Sequence, residues 1–443
     1  MRLNHPDIMP VGPMIQIHFD DREIAALPGE TIAAALTAAG IVAVRQARSG
    51  APRGPFCGMG VCFDCLVTVD GQPSQRACLT RVVDGMDVRS SPAAQPGSAL
   101  PPAETREFAC DVLVVGAGPA GLSAARRLAL AGAKVVVLDE RLHEGGQFFK
   151  PLAHSHEADP ESLDRQFRDG AVLGRSTLLA GVTIVNEATV WAAFSPNEIA
   201  ATVAGQSRLY RPKRLVLATG AYEQVRPVPG WTLPGVMTVG GLQTLARSYR
   251  VAPGSRIVIA GNGPLCLQAA VELLDGGATV VAVLEAAPRP GLGRWSALAQ
   301  AALADPFLML QGRALASRLS PLMHWGRRVT RLAGEDRVRM VEAGDLTLEA
   351  DVVALNDGFA SSSELARSLG CAHRFVARGS GAMETITDAD GRTSLREVFA
   401  IGDGARFGGA QAAQAQGVLA ANAIARDLGL AVAPAKEATR TVQ

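Results

Sequence analysis

The chain of 443 residues carries almost no net charge, with Lys+Arg 43 against Asp+Glu 42. Nucleic-acid binding needs a basic surface that displaces counterions, so no nucleic-acid partner is expected. No apolar run reaches the ~20 residues that span a bilayer. The start, MRLNHPDIMPVGPM, lacks the charged-then-apolar order of a signal peptide. A soluble cytoplasmic protein is expected, a setting where structural disulfides are rare. Histidine is scarce, at 7, and shows no metal-ligand spacing. His154 and His156 lie close together in LAHSHEAD, but nothing nearby completes a site, so a solvated loop is expected. No nucleophile elbow with a Ser/His/Asp set appears, and no catalytic acid/base residue is singled out. Cysteine is scarce too, at 7, yet four of the seven fall within PFCGMGVCFDCLVTVDGQPSQRAC.

Those four are spaced Cys57-x4-Cys62-x2-Cys65-x12-Cys78. The first three follow the plant-type [2Fe–2S] pattern, C-x4-C-x2-C with a distant fourth. Two irons bridged by two sulfides require four converging thiolates. Gly58 and Gly60 suit a loop that wraps such a cluster and aims backbone N–H groups at its sulfurs. Zinc is the competing reading. Zinc sites usually pair their ligands as two C-x2-C-like knuckles, and here only Cys62 and Cys65 form one. The flanks read as strand (MIQIHFD, with Ile15, Ile17 and Phe19 alternating) and short helix (GETIAAALTAAG, Thr31 or Glu30 at its start, Gly40 at its end). A hairpin turning at Asp70-Gly71 follows. Strand, helix, cysteine loop and hairpin resemble a plant-type ferredoxin β-grasp domain, which implies electron transfer for residues 1–92. Residues 93–107, rich in Pro, Ala and Ser, are expected to form a linker.

Next comes DVLVVGAGPAGLSAARRLALAGAKVVVLDE. A strand runs into Gly116-x-Gly118-x-x-Gly121, a helix follows, and a second strand ends in Asp139. This is a full dinucleotide fingerprint. Gly116 makes the turn, Gly118 admits a pyrophosphate, and Gly121 lets helix and strand pack closely. Pro119 and Ala120 begin the helix, whose free N–H groups face the phosphates. Asp139 should bond the ribose hydroxyls, with Glu140 its near rival. Gly146 and Gln147 (in GGQ), Thr219 and Gly220 (in ATGAYE), and Gly402, Asp403 and Gln411 (in IGDGARFGGAQ) resemble the later FAD motifs of two-dinucleotide flavoproteins. An α/β, glutathione-reductase-like fold with Rossmann-like domains is expected. Its FAD domain comprises residues 108–240 and 350–430, interrupted by an NAD(P)-like domain, 241–349. A tail, 431–443, closes the chain.

The inserted fingerprint keeps Gly261 and Gly263 but has Cys266 at the third glycine position, and Glu285 ends its second strand. Two readings stay open, an NAD(P) or other nucleotide site and a fold kept for packing. Arg289 and Arg294 leave NADP admissible. The remaining cysteines, Cys110, Cys266 and Cys371, are isolated and expected to be buried small residues. With no dithiol to receive electrons from a flavin, the fused cluster is the expected partner.

ATGAYE, PGWTLPGV, GNGPL and IGDGARFGG, with the ferredoxin-like domain, are similar to the α-subunits of heteromeric sarcosine oxidases. They are also similar to the A subunits of octopine and nopaline oxidases, to the B subunit of hydrogen cyanide synthase and to the α-subunits of D-hydroxyproline and related proline dehydrogenases. The resemblance implies an electron-transfer α-subunit. It would relay electrons from a β-type, FAD-containing amine or imino-acid dehydrogenase subunit to a quinone, dye or protein acceptor, with room for a small extra subunit and for FMN at a subunit interface. Opines, hydroxyproline, proline and sarcosine-like secondary amines form the implied substrate class. Sarcosine oxidase α-subunits continue into a folate-binding domain and this sequence does not, so folate chemistry is not expected. The alternative is a self-sufficient NAD(P)H-dependent reductase serving an oxygenase.

Overall fold

The computed structural model describes residues 1–90, 105–289, 306–377 and 381–431. Two compact units divide the chain. One is built from Met1–Ser98, Leu152–Asp159 and Glu223–Gly358, the other from Ala99–Pro151, Pro160–Tyr222 and Phe359–Gln443.

The first unit begins with a five-stranded sheet in the order Arg22–Ala26, Ile15–Phe19, Asp87–Ser90, Leu66–Val69, Gln72–Arg76. Alternation sets its faces: Ile17 and Phe19 point inward while Gln16 and His18 face out. Helix α1 (Ile32–Ala38) lies on this core, and Ile32, Ala35 and Leu36 are fully buried. Thr31, not Glu30, caps it, its hydroxyl accepting from the Ala34 N–H at 3.3 Å. Glu30 instead is fully buried, accepting from Arg2 at 2.8 and 2.9 Å and from the Leu27 N–H at 2.7 Å. Asp70 and Gly71 both turn through positive φ, as a two-residue hairpin loop requires.

The same unit holds a second, wholly parallel sheet in the order Val236–Thr238, Val352–Asn356, Ile257–Gly261, Val280–Glu285, Met323–Trp325. Two further helices, Val239–Tyr249 and Pro264–Asp275, pack on it through Leu242, Leu245, Ala269 and Leu273. This moves the expected domain edges. Val236–Thr238 and Val352–Asn356, assigned from sequence to the FAD halves, are strands of the inserted sheet. Their short apolar runs suit any parallel sheet, and only pairing decides which. The segment around His156 also differs from the expected solvated loop. His156–Ala158 pairs antiparallel with Ile8–Pro10, and Ser155 is fully buried.

In the second unit the strand Arg106–Val115 pairs parallel with Val135–Leu138 on one side and Gln206–Leu217 on the other. Arg106 and Glu107, expected in the linker, are therefore strand residues. Val398–Ala400 extends the parallel part, and Ala188–Ser195 and Glu198–Val203 add an antiparallel meander. In chain order the helices used below are α1, α2 (Pro119–Leu130), α3 (Arg165–Leu179), α4 (Val239–Tyr249) and α5 (Pro264–Asp275). Helix α2 and the closing helix (Gly409–Asp427) pack together over the sheet of the second unit, burying Leu122, Leu128, Ala420 and Ile424. A Cβ on Gly417 would lie 2.4 Å from the Ala120 carbonyl oxygen, so the two backbones meet directly. Residues 93–104 of the expected linker, Arg294 and residues 432–443 of the expected tail lie outside the described residues.

Candidate redox centres

The cysteine loop joins α1 to the hairpin. Cys57, Cys65 and Cys78 are buried and Cys62 is partly exposed. The four thiols form one chain of contacts: Cys62 meets Cys57, Cys57 meets Cys78, and Cys78 meets Cys65. Backbone N–H groups point at them. Met59 N–H donates to the Cys57 sulfur at 3.4 Å, and the amides of Asp64 and Cys78 are directed at Cys62 and Cys65. Hydrogen bonds from Cys62 and Cys78 hold the Cys57 thiol far below the usual range, to about 2. The shared bond with Cys57, then burial, pushes Cys62 up. The bond with Cys78 likewise lowers Cys65, while bonds with Cys57 and Cys65, then burial, raise Cys78. Among the described residues no group of three or more His, Cys, Asp or Glu side chains is spaced to hold a single metal ion. Four sulfurs with amide donors in a glycine-bent loop fit the donor set of a two-iron cluster.

The first glycine loop lies in the second unit. Gly116 turns at φ +108, where a Cβ would meet the Ala218 carbonyl oxygen at 2.2 Å. A Cβ on Gly121 would lie 1.9 Å from the Gly116 oxygen, so helix and strand touch backbone to backbone. Gly118 precedes α2, with Pro119 at its first position and Ala120 buried behind it. Helices α1, α3 and α4 are each capped by a side chain, from Thr31, Asp164 and Thr238. No side chain caps α2, and a helix head of this kind offers its first amides to an anion. Gly146 faces this head, since a Cβ there would lie 2.8 Å from Gly118 Cα, and Gln147 follows it, half-buried.

Asp139 does not stand ready for a ribose. Its Oδ2 accepts from the Ala117 N–H at 2.6 Å and its Oδ1 from the Arg141 N–H at 2.8 Å. Burial pushes its carboxyl up, against the pull of those amides. Glu140, one residue on, is exposed. The ATG and closing motifs come together as expected from their order. Thr219 Oγ1 donates to the Ser362 carbonyl at 2.5 Å, and a Cβ on Gly404 would meet Thr219 Oγ1 at 2.7 Å. The Gly220 carbonyl accepts from the Ser362 N–H at 2.9 Å. Gly402 N–H donates to Gln416 at 2.7 Å. Asp403 Oδ1 accepts from the Gly408 and Gly409 N–H groups at 2.9 and 3.0 Å. Gln411 is exposed in the first turn of the closing helix. An uncapped helix, a facing glycine and converging motifs fit FAD.

The second glycine loop lies in the first unit. A Cβ on Gly261 would meet the Asn356 carbonyl oxygen at 1.9 Å. Gly263 precedes α5, which no side chain caps. Glu285 is buried and accepts from the Gly263 N–H at 3.3 Å and the Ala287 N–H at 2.8 Å. Cys266 is buried in the core, and burial, then Glu285 and Glu223, push its thiol up. Arg226, Arg327 and Arg328 line a cleft with Gly261 and Ala286. Arg289, exposed, is not among them. Cys110 and Cys371 are buried as well, and burial pushes Cys110 up to about 12.

Sequence reasoning missed one constellation. Glu223, the last residue of ATGAYE, accepts from the Gly240 N–H at 2.7 Å and from Asn356 Nδ2 at 2.6 Å. Gly240-Gly241 after a strand was the available signal.

Residues 12–93 match the 2Fe-2S iron-sulfur cluster binding domain, and residues 110–417 match the pyridine nucleotide-disulphide oxidoreductase family. An opine oxidase chain of Agrobacterium tumefaciens is 34% identical over 333 residues, 72% of this chain and 66% of that protein. The chain thus spans just under two thirds of that relative. An opine oxidase chain of Rhizobium meliloti is 31% identical over 72% of this chain and 71% of its own length. The alpha chain of a Corynebacterium sarcosine oxidase is 29% identical over 77% of this chain and 37% of its own. The solved L-proline dehydrogenase from P. horikoshii superposes on 100% of this chain and 79% of its own, with TM-score 0.75 at 19% identity, a likeness of fold.

Proposed function

The chain belongs to the pyridine nucleotide-disulphide oxidoreductase family, in the group that contains these opine oxidase chains, and on that premise we propose that it is the electron-transfer subunit of a heteromeric dehydrogenase or oxidase of secondary amines. Opines lead the substrate class, followed by hydroxyproline, proline and sarcosine-like imino acids. Substrate oxidation falls to a β-type flavoprotein partner, and this chain passes the electrons to an acceptor such as a quinone, dye or protein.

One observation carries the reading: four cysteines linked by mutual contacts in a chain that also holds an uncapped glycine-loop helix of the kind that takes FAD, its other cysteines isolated and buried. FAD can take up two electrons together and release them one at a time, and a [2Fe–2S] centre carries one, so the pair would turn a hydride equivalent into single electrons. The chain's own residues bind and position. Cys57, Cys62, Cys65 and Cys78 supply thiolates, and the loop amides stabilise their charge. The α2 amides would take the pyrophosphate of FAD, with Gly118 and Gly146 leaving room for it, while Asp139 braces the loop through Ala117. Glu140, beyond the braced Asp139, would take the ribose hydroxyls. Asp403 holds the head of the closing helix, and Gly402 and Gln411 would lie on the flavin side. A subunit interface would be the place for an FMN.

In the αβ complex, Cys62→Ser should abolish acceptor reduction while amine still reduces the partner's flavin. Unchanged turnover would sink the relay. The intact Gly261–Gly263 loop and its three neighbouring arginines favour a second reading, an NAD(P)H-fed reductase. Anaerobic NADH or NADPH added to the isolated chain decides. Rapid bleaching of the flavin supports the reductase, and bleaching only after a β-type flavoprotein and an amine are added supports the relay.

A further inference from the structure

The cysteine loop is seated on the head of α4, and the fit leaves no room for side chains. Gly58 bends at φ +63, and a Cβ on it would lie 2.8 Å from Gly241 Cα. A Cβ on Gly241 would meet the Phe56 carbonyl oxygen at 2.7 Å and the Cys57 carbonyl carbon at 3.1 Å. Thr238 N–H donates to that Phe56 oxygen at 3.0 Å. The backbone that carries the first ligand cysteine therefore rests on the first turn of a helix from the inserted sheet, within one compact unit.

That first turn is itself held. The Gly241 N–H donates to Thr238 Oγ1 at 3.0 Å and the Gly240 N–H to Glu223 Oε2 at 2.7 Å. Glu223 Oε1 accepts from Asn356 Nδ2 at 2.6 Å, and Asn356 Oδ1 accepts from the Gly358 N–H at 3.1 Å. Both Glu223 oxygens accept, the role of an ionised carboxylate. Asn356 is fully buried, and its carbonyl accepts from the Asn262 N–H at 3.0 Å, inside the second glycine loop. A continuous set of bonds thus runs from that loop through Asn356 and Glu223 to Gly240, Gly241 and the residue before Cys57.

We propose that Glu223 is a positioning residue for the iron–sulfur cluster: by anchoring the first turn of α4 it sets where the cysteine loop sits, and its charge lowers the cluster's reduction potential. Reduction adds one negative charge to the cysteine loop, and a carboxylate fixed on the helix head that seats the loop opposes that charge. The inference rests on the reading that Cys57, Cys62, Cys65 and Cys78 hold a [2Fe–2S] cluster. It does not require that the cluster relay substrate electrons.

The test is a reductive titration of the full chain, loaded with FAD and cluster and followed by electron paramagnetic resonance. Glu223→Gln keeps the shape and removes the charge. Its midpoint should move to a more positive potential than wild type, with the flavin absorbance unchanged and the cluster fully loaded. Gly241→Ala should lose cluster occupancy while retaining FAD, because the loop is pushed off α4. Asp388→Asn, an exposed change in the other unit, should match wild type in both readouts. A wild-type midpoint in Glu223→Gln, or a full cluster with wild-type signal in Gly241→Ala, overturns the inference. Turnover is not read, so the relay stands or falls separately. A wild-type chain that yields no iron–sulfur signal overturns the cluster reading itself, and this inference with it.

Discussion

The two glycine loops are built on one plan and finished differently. Each follows a parallel strand, each places proline first in an uncapped helix, and in each a buried acid from the next strand accepts from a loop amide. At the first loop Gly121 brings α2 onto the strand, Gly146 faces Gly118, and the Thr219–Gly220 and Gly402–Gly404 backbones close in. At the second, Cys266 fills the third glycine position, three arginines line the nearby cleft, and Asn356 links the loop to the element that seats the cysteines. The lesson is that a fingerprint specifies a helix head with free amides, while what surrounds that head decides its use. The first is enclosed by backbone. The second is tied into the support of the iron–sulfur loop.

The sharpest way to break this comparison is to exchange the third position. Gly121→Ala should be the most damaging change, because its Cβ would lie 1.9 Å from a carbonyl oxygen that cannot move without the strand. A loss of ~3 kcal/mol is expected, with purified protein largely free of flavin. The reciprocal Cys266→Gly empties a small buried volume and puts glycine inside a helix, for about 2 kcal/mol, and should leave the flavin-to-protein ratio unchanged. Urea unfolding and flavin absorbance measure both. Equal flavin loss in the two variants would erase the distinction.

A milder pair sharpens it. Asp139→Asn turns an accepting oxygen into a donor that faces the amide of Ala117 or Arg141, at a cost of about 1–3 kcal/mol. FAD affinity should fall, read by flavin release on dilution. Glu285→Gln makes the same change at the second loop and should weaken adenine nucleotide binding, read by calorimetry with ADP, while FAD stays bound.

The smallest effect lies in the strand pair that closes the first unit. Burial, helped by Arg2 and Arg250, lowers the His156 pKa to about 4 from the usual 6.5. The unfolded chain then binds the extra proton first, so this contribution to stability is present above about 6.5 and is lost as pH falls toward 4. The urea midpoint should drop between pH 7 and pH 5, and His156→Gln should flatten that drop.

Local chemistry was legible in the sequence wherever a motif obliges the backbone to do one thing. The four cysteine positions, the glycine turn at Gly116, the close helix–strand approach at Gly121, the strand at Ile15–Phe19 and the turn at Asp70-Gly71 follow from residue type and spacing, because each rests on short-range sterics and alternation. Partnership did not follow. Val236–Thr238 and Val352–Asn356 read as apolar strands that either sheet would accept, and parallel pairing with Ile257–Gly261 settled the matter. Asp139 and Glu140 were near-equal candidates for a ribose until the fold aimed both Asp139 oxygens at backbone amides. The junction of Gly58 with Gly241, 183 residues apart in the chain, was beyond any local pattern. Glycine marks only that space is needed, and which backbone fills that space is a property of packing over long sequence distances.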